Sequence, residues 1–293
     1  MARLERLEGS GEVSTARGRH VVSGAMIGLT YLAALLATLP LILILGHIVA
    51  KGASSLSLAF FTHMPKPVGE VGGGMANAIV GTLILIGVAS LIGLPIGIGA
   101  GLYLAEKRGT PFANTVRFLA DVLNGLPSIV IGIFAWELLV RRTGFSAFAG
   151  GVALGSMMIP LVTRTTEEML LVVPTSLREA ALALGYARWR TSISIVLRTA
   201  MAGIATGVLV AVARIAGETA PLLFTALGNQ FWSTSLHQPI AAIPLQIFAY
   251  SLSAYDEWHR LAWAGALVLI TMVLIISIAA RFVTRSRFGA PVD

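Results

Sequence analysis

The chain has 293 residues, 56% of them hydrophobic and only 12% charged, with a mean hydropathy of +0.84. A soluble domain carries about 25% charged residues, so a mostly wetted surface is excluded. With no cysteine, disulfides and thiolate metal sites are excluded too, and the net charge of +7 suits topology-setting arginines as well as a nucleic-acid surface.

Residues 1–21 are polar and mixed in charge, and the apolar run that follows is too long for a cleaved signal sequence. They read as a cytoplasmic tail, followed by a transmembrane domain over 22–284 and a cytoplasmic C-terminal tail over 285–293. A spanning helix needs roughly 20 apolar residues. Six stretches meet this, at about 22–50, 76–104, 118–140, 145–170, 200–227 and 261–283. The fold class is therefore all-α, a polytopic membrane helix bundle. The second stretch exceeds the ~30 Å hydrocarbon core, and Pro95 among Gly93, Gly97, Gly99 and Gly101 marks a bend.

Charge placement sets the orientation. With the N-terminus inside, fourteen of the 21 basic residues fall on the cytoplasmic side. Lys51, Lys66, Arg141, Arg142 and Arg260 fall outside, and Arg164 and Arg214 lie within spans. The positive-inside rule puts both termini in the cytoplasm, with Arg141–Arg142 as the local dissent. Basic residues that flank spans in this way point to a membrane surface and away from nucleic acid. Two outer segments, 51–75 and 228–259, read as connecting loops or interfacial elements; Ile240–Tyr250 in the second is an amphipathic stretch.

The inner loop over 174–198 is unusually ordered for a connection. Thr175 or Ser176 can cap a helix, with Glu179 completing a capping box from Ser176. Ala180 to Leu184 propagate it and Gly185 suits a left-handed C-cap. A second short helix begins near Ala187, giving a helix–turn–helix shaped for a partner's groove. Glu179-Ala180-Ala181, then Gly185, Ile195 and Leu197 at their spacing, resemble the EAA loop of ABC importer permeases. The resemblance implies coupling helices seated on ATPase subunits. Where that pattern usually has proline after the leucine, this chain has Arg198. A phosphate-cradling Gly-Lys-Ser/Thr loop cannot be built on Lys51, Lys66 or Lys107, which follow Ala50, Pro65 and Glu106. Nucleotide and magnesium therefore belong to a separate ATPase, and no cofactor, metal or catalytic residue is expected in this chain.

In the fifth span, Gly203, Gly207, Ala211, Arg214, Glu218 and Pro221 project onto one helical face. Intramembrane charge costs about 2.5–3.5 kcal/mol per residue even on the lenient insertion scale, so that face must turn to protein or water. Either it lines a solute path, with Arg214 offering a multi-donor fork to an oxyanion, or it carries a buried ion pair that fixes packing. The segment Ala213-Arg214-Ile215-Ala216-Gly217-Glu218-Thr219-Ala220-Pro221 resembles phosphate-importer permeases. So do Gly73 to Thr82, Pro127 to Gly132, and Pro160 to Glu168. The similarity extends over about residues 70–283 and is to the PstA-type subunit.

This resemblance implies the type I ABC importer permease fold and a second permease of the PstC type. It also implies a PstB-type ATPase dimer below and a PstS-type phosphate-binding protein above, in the cell membrane. Arg214 then carries the anion contact, and Glu218 orients it or keeps phosphate from dwelling. Arg164, with Glu167 and Glu168 one turn on, is a second path residue with a structural or gate role. Asp121 and Glu137 are expected to reach interfacial water. A permease for sulfate or molybdate and a self-sufficient secondary transporter are the alternatives.

Overall fold

The computed structural model describes residues 5–67, 70 and 72–288. The helices in chain order are α1 (Glu5–Ala53), α2 (Leu58–Thr62), α3 (Ala76–Glu106), α4 (Pro111–Gly125), α5 (Ser128–Ala135) and α6 (Arg141–Thr143). They continue with α7 (Ala147–Val172), α8 (Thr175–Ala183), α9 (Arg188–Thr191), α10 (Leu197–Ala216), α11 (Ala220–Thr225), α12 (Ile243–Ser251) and α13 (Asp256–Phe288). Single π-helical turns, Trp136–Val140 and Ser192–Val196, join α5 to α6 and α9 to α10. Among the described residues the only β contact is a bridge between Leu227 and Ile240.

The chain divides into residues 1–50 and 51–293. The first unit is the body of α1. The helix runs without a break from Glu5, so no turn sets the expected tail apart from the first span; residues 1–4 lie outside the described residues. Thr30 and Thr38 return their hydroxyls to the carbonyls of Met26 and Ala34, so their polarity is satisfied within an apolar helix. At the other end α13 continues through 285 to Phe288, and the rest of the expected C-terminal tail lies outside the described residues.

Among the described residues five helices are long and apolar enough to cross a membrane: Val22–Ala53, Ala76–Glu106, Ala147–Val172, Arg188–Ala216 and Asp256–Phe282. The stretch expected as a single span over 118–140 is instead a broken pair, Pro111–Gly125 and Ser128–Thr143, bent by 104°. Pro127 explains the bend, because proline pushes the preceding residue out of helical geometry. Leu126 accordingly has φ −71° and ψ 137°.

The second unit is organised on α3 and α7. Added Cβ atoms at Gly93, Gly97 and Gly101 would stand 2.9 Å from Met158, 2.7 Å from Val162 and 2.6 Å from Thr163 and Thr166. From the other side, Gly151 and Gly155 meet Val88 and Ala89. Glycines at four-residue spacing on both partners let the backbones approach, which is how dispersion holds membrane helices together. These α3 glycines are therefore a packing face, and the helix runs on through Pro95. Leu85, Ala89, Leu154, Met158, Val162, Ala211 and Ile215 fill the core around the seam. The amphipathic stretch Ile240–Tyr250 supplies α12, whose Ile243, Pro244, Leu245 and Tyr250 are buried.

Candidate functional site

The resemblance segments meet one another in space. Gly132 of α5 faces Pro221 of α11, where an added Cβ would stand 2.6 Å from the Pro221 Cα. Asn77 donates its amide to the carbonyls of Asn229 and Gln230, at 3.0 and 3.2 Å. The Thr82 hydroxyl accepts from the Ile243 N–H at 2.9 Å. Between them, Gly81 admits the Ala241 carbonyl so closely that a Cβ would lie 2.0 Å away. The irregular return from Leu227 to Ile243 is thus stitched into α3 by small and polar side chains.

Arg214 sits in the last turn of α10, which ends at Ala216. The Gly217 N–H donates to the Arg214 carbonyl at 3.3 Å and the Glu218 N–H to the Ile215 carbonyl at 3.2 Å. Glu218 and Thr219 fall in the break before α11. The structure therefore separates what the helical projection joined: Arg214 is on a helix, Glu218 is beyond its end. A cation in a last turn complements the partial negative charge of the helix C-terminus. Among the described residues no ion pair joins Arg214 to Glu218 or to any other acid. Arg214 is exposed and Glu218 half-buried. The small residues before them are not an open path. Gly203 packs on Met169 and Gly207 on Thr165, and Ala211 is fully buried, so this stripe seats α10 on α7.

Arg164 belongs to a network that is only partly legible in the sequence. Glu167, 2% exposed, accepts Arg117 Nε at 3.0 Å and Nη2 at 2.6 Å on Oε1. It accepts Arg164 Nη1 at 2.7 Å on Oε2. Arg164 Nε reaches Asp121 at 3.0 Å, and Arg117 Nη1 donates to Asn114 at 2.9 Å. Two cations and two anions thus alternate between α4 and α7. Asp121, expected in interfacial water, is tied to Arg164 while remaining half exposed. Arg117 counts in the charge distribution as one more cytoplasmic cation, yet it is a member of this network. The signal for it is the polar stripe Asn114, Arg117, Asp121, at spacings of three and four within one helix. Glu137 pairs with Arg141 one turn on, both exposed.

The loop over 174–198 is a helix–turn–helix, as its sequence indicates. Gly185 has φ +83°. The Tyr186 N–H bonds the Ala181 carbonyl at 3.1 Å and the Gly185 N–H the Leu182 carbonyl at 3.0 Å, a Schellman ending. The capping box does not form. Pro174 takes the N-cap position with no side-chain hydrogen bond, so Ser176 lies inside the first turn and Glu179 is exposed. Ala180 is exposed and Ala181 buried. Leu177, Leu182, Leu184, Tyr186 and Trp189 present an uncovered apolar surface beside Arg188 and Arg190.

Residues 93–288 match the family described as binding-protein-dependent transport system inner membrane component. The phosphate transport system permease protein PstA of Yersinia pestis is 51% identical over 245 residues, covering 83% of each chain. Its counterpart in Xylella fastidiosa is 47% identical over 266 residues, covering 90% of this chain and 92% of that one. A probable PstA of Methanocaldococcus jannaschii is 38% identical over 85% of this chain and 88% of its own. Among solved structures, a bacterial alginate ABC transporter superposes with TM-score 0.65 at 16% identity, over 90% of this chain and 96% of that one. The inward-facing MetNI methionine ABC transporter gives 0.57 at 19%, over 72% and 96%. These likenesses establish the fold as that of ABC importer permeases. The chain belongs to the binding-protein-dependent transport system inner membrane components, as a member of their PstA phosphate permeases.

Proposed function

We propose that this multi-pass chain is the permease subunit of an ATP-driven importer of inorganic phosphate, with Arg214 as its anion contact. Family membership supports the transport activity, and one observation carries the role of Arg214. It is a cation on a helix long and apolar enough to cross the membrane, exposed and without an ion-pair partner among the described residues. An unneutralised arginine facing lipid would be costly, so its face is turned to a second permease subunit and the anion path between them. Its guanidinium offers planar donors that match phosphate oxygens. Glu218, held just past the helix end by the α11–α5 contact, keeps the site from binding phosphate too tightly, since conduction requires release. Arg164, half-committed to Asp121, is the path residue nearer the cytoplasm.

ATP hydrolysis takes place on separate subunits. The exposed apolar surface around Glu179, Ala180, Ala181 and Gly185 seats on them, with both termini on the same, cytoplasmic side. A PstC-type permease, a PstB-type ATPase dimer and a PstS-type phosphate-binding protein complete the assembly.

Radiolabelled phosphate uptake in cells lacking this chain, with and without its return, tests the function. Arg214→Gln is expected to keep assembly while uptake falls roughly tenfold or more, and Arg214→Lys to fall between. Normal uptake by Arg214→Gln refutes the anion role. Competition by sulfate or molybdate as strong as by phosphate itself would overturn the choice of anion.

A further inference from the structure

Helix α8 is nearly free of the body that it must move. Of its nine residues only Ala181 is buried. Arg178, directly before Glu179, is the exception among the charged residues, because it turns inward. Its Nη1 donates to the carboxylate of Glu106, and its Nη2 donates to the carbonyl of Leu170 at 3.3 Å. Glu106 is the last residue of α3, and Leu170 lies in the last turn of α7 with its side chain fully buried. That carbonyl is one of the four at a helix end that lack an intrahelical partner, so the guanidinium supplies a donor that the backbone cannot. One side chain therefore ties α8 to the ends of both helices that form the core of the bundle. The guanidinium fork donates in two directions at once, which an ammonium on the same stem does less well.

We propose that Arg178 is the positioning residue that passes movement of α8 to the α3–α7 pair, with Glu106 as its receiving partner. This rests on the reading of α8 as the ATPase-docking element. Glycine-lined packing makes α3 and α7 a close-fitting pair, so a pull applied at Glu106 and Leu170 moves both rather than bending one. The exposed residues of α8 meet the motor, whereas Arg178 meets the path-forming helices. Loss of Arg178 should then leave docking and hydrolysis in place while uncoupling them from transport.

The test uses the whole complex in liposomes, with ATP hydrolysis and radiolabelled phosphate uptake measured on the same preparation and subunit content checked by copurification. Arg178→Ala is expected to lower phosphate moved per ATP roughly fivefold or more while hydrolysis stays within about twofold. Arg178→Lys should recover part of the ratio. Glu106→Gln, which keeps shape and a hydrogen-bond acceptor, should lose an intermediate amount. Glu106→Arg and Arg178→Glu should each be poor, and the double reversal should exceed both, short of wild type because the Leu170 contact is not restored. An unchanged ratio in Arg178→Ala overturns the proposal. So does a parallel loss of hydrolysis and transport in the intact complex, or a double reversal no better than the singles. If Arg178→Ala does not assemble, the ratio in Glu106→Gln decides, and a wild-type value there overturns the proposal. A wild-type complex that hydrolyses ATP but moves no phosphate instead overturns the permease reading itself.

Discussion

Glu167 gives the sharpest stability prediction, because the structure states how many bonds it holds and how little water reaches it. Three N–H donors from two guanidinium groups end on its two oxygens at 2.6–3.0 Å, and its side chain is 3% exposed. Glu167→Gln keeps the shape, removes the charge and turns one acceptor into a donor facing an arginine. Hydrogen bonds to a charged group contribute about 1.5–3 kcal/mol against about 0.5–1.5 for neutral ones. Losing one bond and weakening the rest comes to about 3–5 kcal/mol, the range for breaking a buried pair. Arg117 and Arg164 keep 25% and 28% of their side chains exposed, so water recovers part of this, leaving about 2–4 kcal/mol. Asp121 belongs to the same network yet is 52% exposed with one contact, so Asp121→Asn should cost about 1 kcal/mol or less. Thermal inactivation of the purified complex in detergent measures the difference as a rate or a midpoint. Glu167→Gln should inactivate several degrees below wild type, with Asp121→Asn close to wild type. Equal effects of the two variants would refute the assignment of Glu167 as the buried pole of the network. A further cycle with Arg117→Gln should show strong non-additivity with Glu167→Gln.

Other substitutions probe the seams and turns. Gly97→Val forces a side chain against Val162 and should destabilise by about 1–3 kcal/mol; Gly99→Ala, with open space around it, should be neutral or slightly stabilising in the same thermal assay. Gly132→Ala pushes on Pro221 and so on the break that holds Glu218. Phosphate uptake should fall severalfold while the complex still copurifies, and a wild-type rate would disconnect that contact from the path. Gly185→Ala places a Cβ at φ +83° and should cost about 1 kcal/mol, read as weaker retention of the ATPase during purification.

The sequence and the structure diverge at identifiable residues, for physical reasons. Long apolar runs find spans because lipid demands about 20 such residues whatever their neighbours do. Five of the six spans are single helices for that reason. The sixth bends at Pro127, which an averaged hydropathy window crosses without noticing. The same blindness carries the fifth span past Gly217 to residue 227. The stop is written there: a glycine at the helix end and a proline opening the next helix, in Gly217 and Pro221. The Gly185 turn is legible because a left-handed residue after an apolar helix depends on local chemistry alone. The capping box fails on equally local grounds, since Pro174 starts the helix earlier.

Pairings across the bundle need tertiary information. Arg117 with Glu167 are 50 positions apart and Arg178 with Glu106 are 72, so no periodicity within one helix could join them. This bears on how intramembrane charge should be read. Arg164, the other arginine within a span, is neutralised by Asp121 on α4 and by Glu167 on its own helix. Arg214 is not, although Glu218 lies only four residues on in the sequence. A charge that a chain leaves unpaired, where pairing was one helical turn away, is the one whose counter-ion has to come from outside the chain. On the role proposed for Arg214, that counter-ion is the phosphate. The break at Gly217 sets Glu218 beyond the end of α10, and on that proposal it leaves the guanidinium open to the anion.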